Sequence, residues 1–249
     1  MDKSLKSDFI KKWEKYFPGA TLPVAAFYSN SLHGAEPAEK VKQHRCIIAD
    51  LVIVSRGKSL AFNKGNIGCG GAMIYCGFSD THGPDFEYFL SYGIPGKVEG
   101  ERYKKDPSTV KAFMKESQKM KAPADWLIFK PFDQLEENDH PGILIFLAKP
   151  DVLSGLFTLA NYDRTDPYGV KTPFGSGCST SIMEPFLENH KDESDCILGM
   201  FDVSARPFVP KEVFSFAVPM KRFKVLVRHM DESFLITPSW DTVRKRAGK

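Results

Sequence analysis

Between Lys171 and Ser181 the chain reads Lys-Thr-Pro-Phe-Gly-Ser-Gly-Cys-Ser-Thr-Ser, and this stretch restricts the fold more than any other. Gly175 and Gly177 permit a positive φ or a close backbone approach. Ser179, Thr180 and Ser181 offer hydroxyl groups. Ile182, Met183, Phe186 and Leu187 then recur at helical spacing, so the turn is expected to feed a helix N-terminus. Such an end presents free N–H groups and the positive pole of a dipole. It suits an anion, and it lowers the pKa of a thiol. A counterpart lies in the first half, at Gly65-Asn66-Ile67-Gly68-Cys69-Gly70-Gly71-Ala72-Met73-Ile74-Tyr75, again a cysteine among glycines ahead of a short apolar run.

Around these turns, short apolar runs alternate with amphipathic ones. Leu5, Phe9, Trp13 and Tyr16 predict a helix over 4–17, stopped by Pro18-Gly19. Strands are expected at 22–28, 59–62, 86–90, 126–131, 143–147, 196–201 and 223–227. Residues 30–45 read as a polar loop and 46–55 as a helix. Further helices are expected after Asp106-Pro107, after Pro150-Asp151, after the second Gly-Cys turn and over 210–220. Thr237-Pro238 reads as the cap and first residue of a last helix, with Arg244, Lys245 and Arg246 at its end. The pattern predicts an α+β (mixed α/β) fold in one domain, 1–249.

The order strand, helix, arginine, Gly-Cys turn, helix, strand, helix, strand occurs twice. It suggests an internal duplication with repeats at 20–133 and 141–230. In this reading Cys69 matches Cys178, helix 107–121 matches helix 210–220, and strand 126–130 matches strand 223–227. The two turns would then meet near a pseudo-twofold axis and form one composite site.

With 249 residues, 42% of them hydrophobic, the chain has enough apolar material for a sizeable core. No run is long enough to span a membrane. The net charge of +3 is too small to argue for nucleic acid. The basic residues of 101–121 fit a solvated helix face, because aromatic side chains are not interleaved there. Five cysteines, Cys46, Cys69, Cys76, Cys178 and Cys196, without a secretory signal read as reduced thiols in the cytoplasm. An oligomer is compatible with all of this.

Several chemistries lack their motifs. There is no GxxxxGK[ST], no GxGxxG and no CxxC. The six histidines are scattered, and none flanks a nucleophile. Two kinds of site remain. The first binds an anionic small molecule or cofactor through Gly68, Cys69, Gly70, Gly71, Gly175, Gly177, Cys178 and Ser179. Arg164 and Arg206 are its counter-charges, with Arg56 a further candidate. The second gathers Cys46, Cys69 and Cys178 around an iron–sulfur cluster or another thiolate-bound metal with a redox role. Asp202 and Ser204, just beyond an apolar strand, lie where sites collect in α/β sheets. A third possibility is a structural or interaction protein whose cysteines are small core residues; Cys76 and Cys196 fit that description.

Ile145-Phe146-Leu147, Leu159-Ala160-Asn161-Tyr162-Asp163-Arg164, Pro173-Phe174-Gly175-Ser176-Gly177-Cys178, Asp202-Val203-Ser204-Ala205-Arg206 and Val218-Pro219-Met220-Lys221-Arg222-Phe223 together resemble the DUF169 family of uncharacterised proteins. Cys46, Ser55-Arg56-Gly57 and Gly68-Cys69-Gly70-Gly71-Ala72 are similar to that family as well. The resemblance covers nearly the whole chain. It implies a setting in archaea and anaerobic bacteria and no particular activity. Cys46, Cys69 and Cys178 fall within the family-like segments, whereas Cys76 and Cys196 do not.

Overall fold

β1 (Val24–Ser29) and β5 (Ile143–Ala148) pair antiparallel through Val24–Ala26 and Ile143–Ile145, and every other strand is added outward from that pair. The structure, a computed structural model, describes residues 1–40 and 42–247. Val41, within the expected loop 30–45, lies outside them. Beyond β1 come β4 (Trp126–Pro131), β3 (Leu60–Phe62) and the edge strand β2 (Glu36–Pro37). Beyond β5 come β8 (Phe214–Pro219), β7 (Cys196–Gly199) and the edge strand β6 (Val170–Lys171). The described strands form one sheet in the order β2-β3-β4-β1-β5-β8-β7-β6. Neighbours are antiparallel except at the two edges, where β2 with β3 and β6 with β7 run parallel. The order therefore reads alike from either edge when β1–β4 are exchanged for β5–β8. A repeated four-strand unit about an axis between β1 and β5 would give this arrangement.

Alternation along the strands divides the core. Ala25, Phe27, Leu144, Phe146, Phe216 and Val218 face one layer of helices. These are α1 (Lys3–Tyr16), α6 (Pro150–Ala160), α8 (Met220–His229) and α9 (Pro238–Ala247). In α1, Asp2 caps the first turn by accepting from the Leu5 amide at 2.7 Å. Phe9, Trp13 and Tyr16 form its buried stripe, each contributing about 1.5–3 kcal/mol by burial. Val24, Ala26, Ile143, Ile145, Leu127 and Phe129 face the opposite layer, formed by α2 (Ile47–Val54), α3 (Gly70–Tyr75) and α7 (Glu184–Glu188). A four-residue α4 (Phe86–Phe89) and α5 (Pro107–Glu116) lie between α3 and β4 in sequence.

Three expectations are corrected. Phe86–Leu90, an aromatic run with strand propensity, is a helical turn, because this excursion offers it no strand partner and tertiary context decides such runs. Residues 210–220 are not a helix. Pro210-Lys211-Glu212 imitates a helix start, but Phe214–Pro219 pairs along its whole length with β5. Residues 223–227 are helical, with Arg222, Phe223, Leu226 and Val227 buried at spacings of one and four; a five-residue apolar run does not distinguish helix from strand. The strand matching β4 across the centre is therefore β8, not 223–227.

Candidate functional site

Three cysteines from distant parts of the chain each stand at or within the first turn of a helical segment; Cys46 and Cys69 are N-caps, and Cys178 lies just inside a turn capped by Ser176. Cys46 precedes α2, Cys69 precedes α3, and Cys178 precedes a π-helical turn, Ser179–Met183, that continues into α7. Their segments pack against the same face of the sheet. By place in the strand order, α2 between β2 and β3 corresponds to the π-turn and α7 between β6 and β7. The residue that matches Cys178 is thus Cys46, whereas Cys69, following β3, matches the segment that begins at Asp202, following β7.

Two ties bring these residues together. The Arg45 amide donates to the Gly68 carbonyl at 3.2 Å, setting Cys46 beside Cys69. The Gly177 amide donates to Asp202 Oδ2 at 3.0 Å, setting Cys178 beside Asp202. Gly177 is also wedged between both neighbours. A Cβ there would stand 3.0 Å from Ala205 Cβ, 3.1 Å from Ile48 Cγ1 and 3.2 Å from Met200 Sδ. A side chain here would require Ala205, Ile48 or Met200 to yield by a few tenths of an ångström.

The π-turn is held by hydroxyl groups. Thr180 Oγ1 donates back to the Ser176 carbonyl and accepts from the Met200 amide. Ser181 Oγ donates to Ser215 Oγ at 2.9 Å, and the Ser179 amide donates to Ser176 Oγ at 3.2 Å. Gly199 makes room for this, since a Cβ on it would meet Thr180 Oγ1 at 2.4 Å. Single π-turns of this kind recur at functional sites.

The thiols feel one another. Burial pushes the Cys178 thiol up to about 12; the Ser176 hydroxyl, 3.2 Å from its sulfur, pulls it back, and Cys69, Cys46 and Asp202 push it further up. Burial also raises Cys46, against the Ile48 and Ala49 amides that face its sulfur, and Cys69 and Asp202 add to the rise. Tyr75, on α3, is pushed to about 12 by burial and by the proximity of Cys178, Asp202 and Glu184. Each ionisable neighbour named for these groups is an acid, so extra negative charge in the cluster requires a cation. Among the described residues, no three His, Cys, Asp or Glu side chains are arrayed around a common point as a metal would need. Cys178 is turned toward Ser176, and Asp202 toward Gly177 and Ser204.

The other sequence-predicted residues divide between the site and its surroundings. Gly68, Gly70 and Gly71 frame Cys69, and Gly175 and Ser179 frame Cys178. Arg164 is not brought here. It pairs with Glu193 and Asp195, and its charge bears on Cys196, which packs in the opposite core layer. Arg206 donates to the Val213 and Lys211 carbonyls and stacks 4.7 Å from the Phe214 ring centroid, closing its own loop. Arg56 lies beyond the C-terminal end of α2, roughly 12 Å along that helix from Cys46. Arg45, adjacent to Cys46, is bound to the buried carboxylate of Asp50. Cys76 and Cys196 are buried core residues. Asp202 is a polar residue just beyond a strand, which is the signal that marked it in the sequence; Tyr75 gave none beyond its place in the first turn.

A family model, DUF169, described as Uncharacterised ArCR, matches residues 15–229. No curated protein and no solved structure matches the chain. Among the described residues no helix is long and apolar enough to cross a membrane.

Proposed function

The chain belongs to the DUF169 family, and from that premise we propose that its function resides in the thiols of Cys46, Cys69 and Cys178, which do not converge on one point as they stand and would hold a soft metal ion or an iron–sulfur cluster only by turning toward one another. The observation that carries this reading is the placement of three cysteines at the starts of three helical segments packed on one face of the sheet, Cys46 and Cys69 as N-caps and Cys178 within the first turn. The positive ends of such segments stabilise sulfur as thiolate. Burial opposes this at Cys46 and Cys178, whose thiols stay protonated until a cation replaces their protons, as thiolate metal sites require. The metal or cluster would supply Lewis-acid or electron-transfer chemistry. The protein's part is to hold the sulfurs, exclude water and present Tyr75 and Ser176 beside them.

The anionic small-molecule reading draws less support. The Gly177 amide is already occupied by a carboxylate, and Arg164 and Arg206 are engaged elsewhere. The matched strand order also supports reading the chain as two repeats.

Anaerobic purification followed by metal analysis and a visible spectrum, on wild type and Cys178→Ser, tests the proposal. Bound metal in the wild type that is lost in the variant is the expected result. A colourless, metal-free protein that takes up neither iron nor zinc would end this reading, and a thermal-shift screen of phosphate and carboxylate compounds would then test the anion site.

A further inference from the structure

We infer that Cys46 and Cys69 are a dithiol that closes to an intramolecular disulfide on meeting a low-molecular-weight disulfide. The inference rests on the reading that function resides in these thiols. It needs two sulfurs to meet, not three to converge on an ion.

Backbone geometry places the pair. The Arg45 amide donates to the Gly68 carbonyl at 3.2 Å, and each cysteine is the next residue along its chain from that bond. A direct amide–carbonyl bond sets two chains at about 5 Å. A disulfide spans Cα atoms about 4.4–6.8 Å apart. Each cysteine then caps a helix, Cys46 on α2 and Cys69 on α3. The Cys46 sulfur faces the Ile48 and Ala49 amides, and among ionisable neighbours Cys69 bears on it most.

Access separates this pair from the other thiols. Cys46 and Cys69 are half-buried, whereas Cys76, Cys178 and Cys196 are buried. A Cβ on Gly70 would meet nothing within 4 Å, so the side of the turn next to Cys69 is open to a small reagent. Cys178 is turned inward, its sulfur 3.2 Å from Ser176 Oγ. Cys76 closes the far end of α3, roughly 10 Å along the helix from Cys69. Cys196 packs in the opposite core layer.

The chemistry is two successive exchanges. A thiolate of the pair attacks one sulfur of the incoming disulfide, breaking its S–S bond and releasing one thiol. The second thiolate attacks the protein sulfur of this mixed disulfide, forming the Cys46–Cys69 bond and releasing the other thiol. Two electrons pass from the protein to the reagent, and both thiol protons leave on the released thiols. The bridge would join the starts of α2 and α3 and withdraw two of the three sulfurs from any metal.

Oxidised glutathione is the probe, added anaerobically to the reduced, metal-free full-length protein, with intact and peptide masses and melting temperature followed. The wild type should lose two hydrogens, release two glutathiones and yield one linked peptide pair carrying Cys46 and Cys69. A dithiol reductant should restore it, and the bridged form should melt no lower than the reduced one. Cys178→Ser should bridge like the wild type. Cys46→Ser and Cys69→Ser, at half-buried positions, should melt like the wild type, lose the bridge entirely and each retain one glutathione on the remaining thiol. Lasting glutathione adducts on the wild type, a bridge through Cys178 or Cys76, a linkage between two chains or a bridged form that melts lower each overturns the inference. Metal uptake by a protein that forms no bridge would leave the thiol reading standing without it.

Discussion

The amide of Gly177 donates to a carboxylate oxygen of Asp202 at 3.0 Å. The bond ties the residue before Cys178 to the segment beyond β7, as the Arg45 amide to the Gly68 carbonyl ties the residue before Cys46 to the segment beyond β3. The turn that makes the tie is closely packed at position 177. In Gly177→Ala the new methyl would press on Ala205, Ile48 and Met200 at 3.0–3.2 Å, all of them in packed surroundings. Overpacking of this kind costs about 1–3 kcal/mol. Denaturant unfolding should show that loss. An alanine variant as stable as the wild type would mean that the turn relaxes freely and holds nothing in place.

The thiols should differ sharply in reactivity. Cys46 and Cys69 are half-buried, whereas Cys76, Cys178 and Cys196 are buried. Burial pushes both Cys178 and Cys196 up to about 12. The thiolate is the reacting species, so at pH 8 only on the order of one in ten thousand of such thiols is ionised. In the metal-free folded protein, a chromogenic disulfide reagent should titrate at most two thiols quickly, and all five only after unfolding. Rapid alkylation of Cys178 in the folded state, mapped by peptide mass, would contradict the burial that the site depends on.

The sequence was most legible where local chemistry and tertiary packing agree. The helix capped by Thr237 and begun at Pro238 stands as expected, and so do the strand at β4 and the helices begun at Pro107 and Pro150. It misled where a short apolar run suits either state, as at Phe223–Val227. Local composition and strand order also point to different pairings between the halves. Glycines flank both Cys69 and Cys178, so those two look matched. Strand order matches Cys178 with Cys46 instead, a cysteine with no glycine beside it. Arg164 and Arg206 looked like counter-charges because an arginine after an apolar run has no visible partner in sequence. Their partners, Glu193, Asp195 and the carbonyls of 211 and 213, become apparent only when loops fold back.

Gly155 and Trp240 should be coupled. A Cβ at Gly155 would stand 2.5 Å from Trp240 Cη2 and 2.7 Å from Phe17 Cε1, so α9 lies directly on α6. Trp240 also donates through Nε1 to the Tyr16 carbonyl at 2.9 Å. Trp240→Ala should cost about 3–5 kcal/mol, and Gly155→Ala about 1–3 kcal/mol. Removing the indole vacates the space that the new methyl would need, so the double variant should be less destabilised than the sum of the two. Simple additivity in chemical denaturation would place the strain of Gly155→Ala elsewhere.

A buried ion pair between β4 and the turn that precedes β5 sets an acid limit on the fold. Asp139 is fully buried. It accepts from Lys130 Nζ at 2.9 Å and the Glu136 amide at 2.7 Å, and its other oxygen meets His33 Nδ1 at 2.9 Å. Burial pushes its carboxyl up, but the Glu136 amide and the Lys130 ammonium outweigh it, and the net pKa lies below the ordinary value. A carboxyl depressed in the folded state stabilises the fold above its unfolded pKa, near 3.9. That contribution is lost as pH falls through the lower folded value. Asp139→Asn would leave the buried Lys130 ammonium with only the exposed Glu136 carboxylate, 3.9 Å away, as counter-charge, at a cost of up to about 3–5 kcal/mol. The gap in melting temperature between wild type and Asp139→Asn should therefore be wide and constant from pH 5 to 7. It should narrow below about pH 4 as the wild-type carboxyl takes up its proton. A gap that stays constant into strong acid would show that the aspartate acts by packing and hydrogen bonding alone, and that its charge adds nothing.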